Sequence, residues 1–170
     1  PLVARLLWIR GHRSPTTAGI FLRPRLADLQ PPDALPDMGV ATERIARAVR
    51  GRERIAICGD YDVDGMTGTA LLVRFFRLAG GEVMYAIPDR ESDGYGLSIA
   101  GVERLAAAGG RLAITVDNGI SAHDSIRRAK ELGIDVVVTD HHLPGATLPD
   151  ALAIVDPHRT DRPGTPPSFL

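Results

Sequence analysis

From Arg54 onward, short apolar runs alternate with longer segments whose apolar residues recur every three to four positions. The runs are "RIAIC" (54–58), "EVMYAI" (82–87), "RLAITV" (111–116), "DVVVT" (135–139) and "LAIVD" (152–156). They are too short for stable helices, are rich in Val and Ile, and lack the apolar–polar alternation of a half-exposed strand. Between them, "TGTALLVRFFRLAG" (67–80), "LSIAGVERLAAAG" (97–109) and "SAHDSIRRAKELG" (121–133) carry helical spacing and end on glycine. This alternation predicts βαβ units, hence an α/β fold: a parallel β-sheet of about five strands flanked by helices on both faces.

Upstream of residue 52 the pattern differs. "LVARLLWIRG" and "TTAGIFLRP" read as short amphipathic helices, "LADLQPPDALPDM" as a Pro-rich connector, and "ATERIARAVRGRE" as a helix with Ile45, Ala48 and Val49 on one face. Residues 1–51 are therefore expected to form a helical accessory segment ahead of an α/β domain over 52–160. The stretch 161–170, "DRPGTPPSFL", reads as a linker toward a further element. With an opening Pro1, that makes the sequence a piece of a longer protein.

Composition narrows the class. Of 170 residues, 44% are apolar and the formal net charge is −1, as in a soluble globular domain. No run reaches the roughly 18 apolar residues that a membrane span needs, and the basic, apolar, small-residue order of a secretory leader is not read in these residues. Cys58, the single cysteine, excludes an internal disulfide framework and fits a reducing, cytoplasmic setting. Near-zero net charge creates no general field for nucleic acid.

The chemistry collects where strands end. In "ICGDYDVDGMTG" (57–68), Asp60, Asp62, Asp64 and Gly65 match the start of a calcium-loop pattern, but Leu71 stands where the closing glutamate belongs and a strand rather than a helix enters. After the second strand come Asp89, Arg90, Asp93, Gly94, Tyr95 and Gly96; after the third Asp117, Asn118 and Gly119; after the fourth Asp140, His141 and His142; after the fifth His158. Ligands of parallel sheets bind at this carboxyl edge. Asp117 and Asp140, each alone, suit helix capping equally well. Three carboxylates within five residues call for a cation, and an Asp-His-His run closing a buried strand favours ligation. His12 and His123 read as solvated, Cys58 as a core residue. Carboxylates with imidazoles and no thiolate cluster suit Mn²⁺ or Mg²⁺. Two such ions would serve phosphoryl hydrolysis, with "GMTG" offering N–H groups to an anion and Arg90 gripping a phosphate oxygen.

"GDYDVDGMTG", "PDRESDGYGL", "ITVDNGIS" and "VTDHHLPGATLPDALAIVDPHR" resemble, in order and spacing, the DHH phosphoesterase superfamily, and within it the RecJ-type exonuclease branch. The resemblance runs through residues 54–159. It extends upstream through "RLLWIRGHRSPTTAGIFLRPRLADL" and "LPDMGVATERIARAV". It implies a two-metal 5′→3′ exonuclease that acts on single-stranded DNA in recombination and repair, with single-strand-binding protein and a repair helicase as partners.

Carried over to this sequence, Asp62 and Asp64 are metal ligands, Asp117 bridges both ions, His141 binds metal and His142 faces the scissile phosphate. Asp60 and Asp140 orient these groups, while Arg90, Tyr95 and Gly96 touch substrate. The branch also supplies a further metal-binding aspartate and a second domain downstream of the stretch matched here, so the 170 residues alone are expected to bind metal weakly and cleave little. Rival readings are another DHH phosphoesterase, acting on short RNA, cyclic dinucleotides or pyrophosphate, and a non-catalytic replication scaffold on the same fold.

Overall fold

The computed structural model describes residues 2–28, 31–89, 94–159 and 161. The chain divides into two compact units, Pro1–Pro31 and Pro32–Leu170. The first contains α1 (Leu2–Ile9) and α2 (Pro15–Leu22). Ser14 and Thr17 cap α2 reciprocally, the Ser14 Oγ accepting the Thr17 N–H and the Thr17 Oγ1 the Ser14 N–H. His12 lies in the turn between them with its ring 4.4 Å from that of Phe21, so it packs on an aromatic rather than standing free in a helix.

The second unit holds α3 (Met38–Arg50), β1 (Arg54–Gly59), α4 (Val63–Leu78), β2 (Glu82–Ala86), α5 (Ile99–Ala107), β3 (Leu112–Val116), α6 (His123–Glu131), β4 (Asp135–Thr139) and β5 (Ala153–Val155). All strand pairs are parallel, in the order β2-β1-β3-β4-β5. Alternate residues of each strand serve opposite faces. Ile55 and Ile57 of β1 pack with Ala41 and Ala48 of α3 and with Val73 and Phe76 of α4. Ala56 and Cys58 of the same strand pack with Val102 and Leu105 of α5 and with Ile126 and Ala129 of α6. Burying each large aliphatic side chain contributes roughly 1.5–3 kcal/mol. The expected two-faced α/β sheet is present. α3, grouped above with the accessory segment, instead belongs to the sheet-bearing unit.

A buried ion network locks α3 down at the amino edge of the sheet. The Arg44 guanidinium donates to Asp135 at the start of β4 (2.5 Å), to Glu53 just before β1 (2.6 Å) and to the Arg111 carbonyl just before β3 (3.4 Å). The carboxyl edge, remote from this clasp, is left for chemistry. Among the described residues no helix is long and apolar enough to cross a membrane.

The start of α4 departs from the sequence expectation. Its helix begins at Val63, not Thr67, so only Asp60 follows the strand directly. Asp62 is the N-cap, with Oδ1 accepting the Gly65 N–H at 3.0 Å, and Asp64 sits in the first turn. The period-two spacing of the aspartates is therefore not strand alternation. "GMTG" does not cradle an anion either, because its N–H groups are engaged from the helix start onward, Gly65 by Asp62 and Met66 by the Asp62 carbonyl. Its glycines are there for contact: a Cβ on Gly65 would lie 2.5 Å from the Asp60 nitrogen, and one on Gly68 2.6 Å from Val116 Cγ1. They let α4 press against the ends of β1 and β3.

Candidate metal centre

Each carboxyl end of the central strands delivers an acid. β1 runs into Asp60, which is 2% exposed, β3 into Asp117 and β4 into Asp140; Asp156 follows β5 and is fully buried. Asp117 adopts φ 63°, the left-handed region that aspartate tolerates better than most residues. Its N–H bonds the Thr139 carbonyl at 3.0 Å, tying the ends of β3 and β4 together. Next to it, Asn118 Nδ2 donates to the carbonyls of Cys58 and Val116, both at 2.9 Å, and stitches β1 to β3.

His141 and His142 divide between two acids. The His141 Nε2 stands 2.8 Å from Asp117 Oδ1, and the His142 Nδ1 stands 2.7 Å from Asp140 Oδ1. Asp140 also accepts the backbone N–H groups of His141 (2.8 Å), His142 (3.2 Å) and, through Oδ2, Ile120 (2.9 Å). It is thus an organising group whose lone pairs are already committed. Burial, and next the adjacent Asp62, raise the pKa of Asp117, whereas the Gly65 N–H chiefly lowers that of Asp62. Without a cation the two abutting carboxylates repel, which disfavours ionisation of Asp117. Asp140 raises the pKa of His142.

The donor set fits a divalent cation. One atom each from Asp117, His141 and His142 lies within 4.8 Å of the others. A cleft of about 400 Å³ is lined by Asp64, Asp117, Asp140 and His141, together with Leu35, Thr139, Val155 and Pro157. Asp60 Oδ1 and Asp156 Oδ2 are buried with no hydrogen-bond partner. Carboxylate oxygens buried without compensation at one edge are electrostatically unfavourable, and a hard cation offsets that cost.

The structure brings Asp62, Asp64, Asp117, Asp140, His141 and His142 together around this edge, with Asp60 buried at the end of β1. Tyr95 joins them: its hydroxyl donates to the Asp117 carbonyl at 3.0 Å, with His142 Nε2 at 3.5 Å. Gly96, at φ 67°, lies where a Cβ would come 3.1 Å from Asn118 Cβ. Arg90 and Asp93 fall outside the described residues. Cys58 is buried, and its thiol pKa is pushed up to about 12 by burial, so it is an inert core residue as expected.

Sequence reasoning assigned no role to Asn118, Asp156 or Tyr61. The ring of Tyr61 lies edge-on to that of Tyr95, with 6.3 Å between centroids. The apolar run read as the fifth strand includes Asp156 as its last residue, whereas the observed strand ends at Val155 and leaves Asp156 directly after it, buried.

An open parallel sheet with acids and imidazoles gathered at its carboxyl edge defines an α/β class of protein with a candidate divalent-metal site. Residues 54–165 match the family model described as "DHH family, N-terminal domain", and the chain belongs to the DHH family. It is 43% identical over 157 residues to the single-stranded-DNA-specific exonuclease RecJ of Bacillus subtilis, covering 92% of this chain and 20% of that protein. Against RecJ of Salmonella typhimurium it is 45% identical over 162 residues, 95% of this chain and 27% of the relative. The crystal structure of an exonuclease RecJ bound to manganese superposes with a TM-score of 0.69 at 41% identity, over 74% of this chain and 32% of that one. The chain thus spans about a fifth to a quarter of the length of the curated relatives it matches.

Proposed function

We propose that this chain carries the metal-binding core of a nuclease that degrades single-stranded DNA from the 5′ end. The observation that carries the reading is the meeting of Asp62, Asp117, His141 and Asp64 at one cleft, beside a buried Asp60 oxygen with no partner. Its similarity to RecJ exonucleases, one of them bound to manganese, supports the substrate and the metal.

In this reading Asp62, Asp64, Asp117 and His141 would hold two Mn²⁺ or Mg²⁺ ions. When bound, the ions neutralise phosphate charge and acidify water. Asp140 holds His142 through ring and backbone, so that its Nε2 is presented toward the phosphate. Asp60, buried at the end of β1, orients the neighbouring ligands. Tyr95 and Gly96 border the substrate. The same reading places the intact protein in recombination and repair in the cytoplasm, beside single-strand-binding protein and a repair helicase. It leaves the 170 residues alone weakly active.

The test is the intact protein on single-stranded DNA labelled at either end, with duplex DNA and dinucleotides as competing substrates. Mn²⁺-dependent release of mononucleotides from the 5′ end is expected. Replacing Asp117 or His141 by Ala should slow it by about 100-fold or more. Release from the 3′ end, or preference for dinucleotides, would overturn the assignment.

A further inference from the structure

The two adjacent histidines open onto different cavities. His141 lines the acidic cleft with Asp64 and Asp117. His142 lines a second cavity of about 300 Å³, shared with Tyr95, Leu97, Ile120, Ser121 and Ala122. Asp140 is common to both, forming the partition.

The chemistry of the second cavity is unlike that of the first. Asp140 is its only acid among the described lining residues, and that carboxylate already accepts from three backbone N–H groups and from His142. Among the described lining residues no ligand set for a metal remains, and none carries a guanidinium or ammonium for a phosphate. Its polar side chains are the Ser121 hydroxyl, the Tyr95 hydroxyl and the His142 imidazole. Its apolar surface comes from Leu97, Ile120, Ala122 and the Tyr95 ring.

Parts of the walls are bare backbone by necessity. Gly96 has φ 67° and Gly119 φ 112°, and a Cβ on Gly119 would lie 2.6 Å from Thr115 Oγ1. A neutral, partly flat ligand with a polar edge suits this lining, and the volume lies at the lower end for small-molecule sites. An aromatic side chain at the rim accepts any nucleobase by stacking.

We infer that this cavity, walled by Tyr95, Ile120 and Ser121, receives the sugar and base of the nucleotide flanking the scissile phosphate, while the phosphate itself stays at the His141 cleft. The inference rests on the nuclease reading and adds a nucleoside subsite to it. Binding energy from a non-reacting part of the substrate then serves to position the reacting phosphate.

The experiment is titration of the 170-residue chain with thymidine 5′-monophosphate and, separately, with inorganic phosphate, with and without Mn²⁺, followed by amide NMR. Nucleotide is expected to bind more tightly than phosphate and to shift the amides of Ile120, Ser121 and Ala122. Ser121 is exposed, so Ser121→Trp fills the cavity mouth without disturbing the core. It should weaken nucleotide binding at least tenfold and leave phosphate binding within twofold. Tyr95→Phe, which keeps the ring, should bind nucleotide more tightly than Tyr95→Ala. Equal affinity of wild type for nucleotide and phosphate, or unchanged nucleotide binding by Ser121→Trp, overturns the inference. Failure of the nuclease reading appears separately, as the intact protein releasing no mononucleotides from single-stranded DNA in the presence of Mn²⁺.

Discussion

Asp140 holds His142 twice through one oxygen: Oδ1 lies 2.7 Å from the ring Nδ1 and 3.2 Å from the backbone nitrogen. The ring cannot turn without losing a charge-assisted hydrogen bond to a buried carboxylate. The same contact raises the His142 pKa from its ordinary 6.5. A histidine with a raised folded pKa contributes stability that is complete below its unfolded pKa and disappears as pH climbs through the folded one. In the metal-free chain His142 should therefore titrate above 6.5, and Asp140→Asn should bring the midpoint back toward that value. Imidazole NMR shifts followed from pH 5 to 9 check both; a midpoint unmoved by Asp140→Asn refutes the coupling.

Asp117 presents a trade between fold and chemistry. Its folded pKa is raised above 3.8 by burial and by Asp62, so as a carboxylate it destabilises the metal-free fold once pH exceeds that value. Asn tolerates the left-handed backbone that Asp117 occupies. Asp117→Asn is expected to raise the metal-free Tm by a few degrees at pH 7.5 and to abolish most of the Tm gain on adding Mn²⁺. A thermal melt with and without the metal reads both signs at once. A variant as responsive to Mn²⁺ as wild type would remove Asp117 from the ligand set.

Asp156 is fully buried, with Oδ1 accepting the His158 N–H at 2.7 Å and Oδ2 unpartnered. Burial raises its pKa. Its contribution is therefore most favourable below pH 3.8 and declines as pH rises through the folded value. Asp156→Asn should stabilise the metal-free chain at pH 7, with the gain shrinking toward pH 3. Urea melts at the two pH values measure the difference, and equal effects at both would contradict a buried, charged Asp156.

Gly65 tests the close approach of α4 to β1. A Cβ there would lie 2.5 Å from the Asp60 nitrogen and 2.6 Å from its carbonyl oxygen, both backbone atoms that cannot swing aside. Gly65→Ala is expected to destabilise the fold by about 1–3 kcal/mol, despite alanine's better helix propensity. It should also weaken Mn²⁺ binding, because Gly65 N–H is the group that Asp62 caps. A urea midpoint equal to wild type would show that α4 can retreat freely.

Much of this was legible from local pattern. Five apolar runs, the first four separated by helical segments, specified a parallel sheet, since strands buried on both faces lose polar alternation and parallel neighbours need a crossover. That Asp60, Asp117, Asp140 and the His pair gather at one edge was legible because each lies within three residues of the end of such a run, and the carboxyl ends of parallel strands necessarily share an edge.

Tertiary structure decided the rest. It showed that Asp62 caps α4 and Asp64 rides its first turn, because the helix starts four residues earlier than apolar spacing alone indicates; Val63 and Met66 of that turn are exposed, so they add nothing to the core-facing stripe. It joined α3 to the sheet through Arg44, whose partners Glu53 and Asp135 are 9 and 91 residues away. It sent His141 and His142 to different acids and different cavities, a division that no spacing in a dipeptide encodes. Periodicity reports which faces of an element are buried, and so determines elements and their ends. Which side chains meet across those ends depends on sheet order, helix position and backbone angles such as that of Asp117, and these are settled only when the whole core packs.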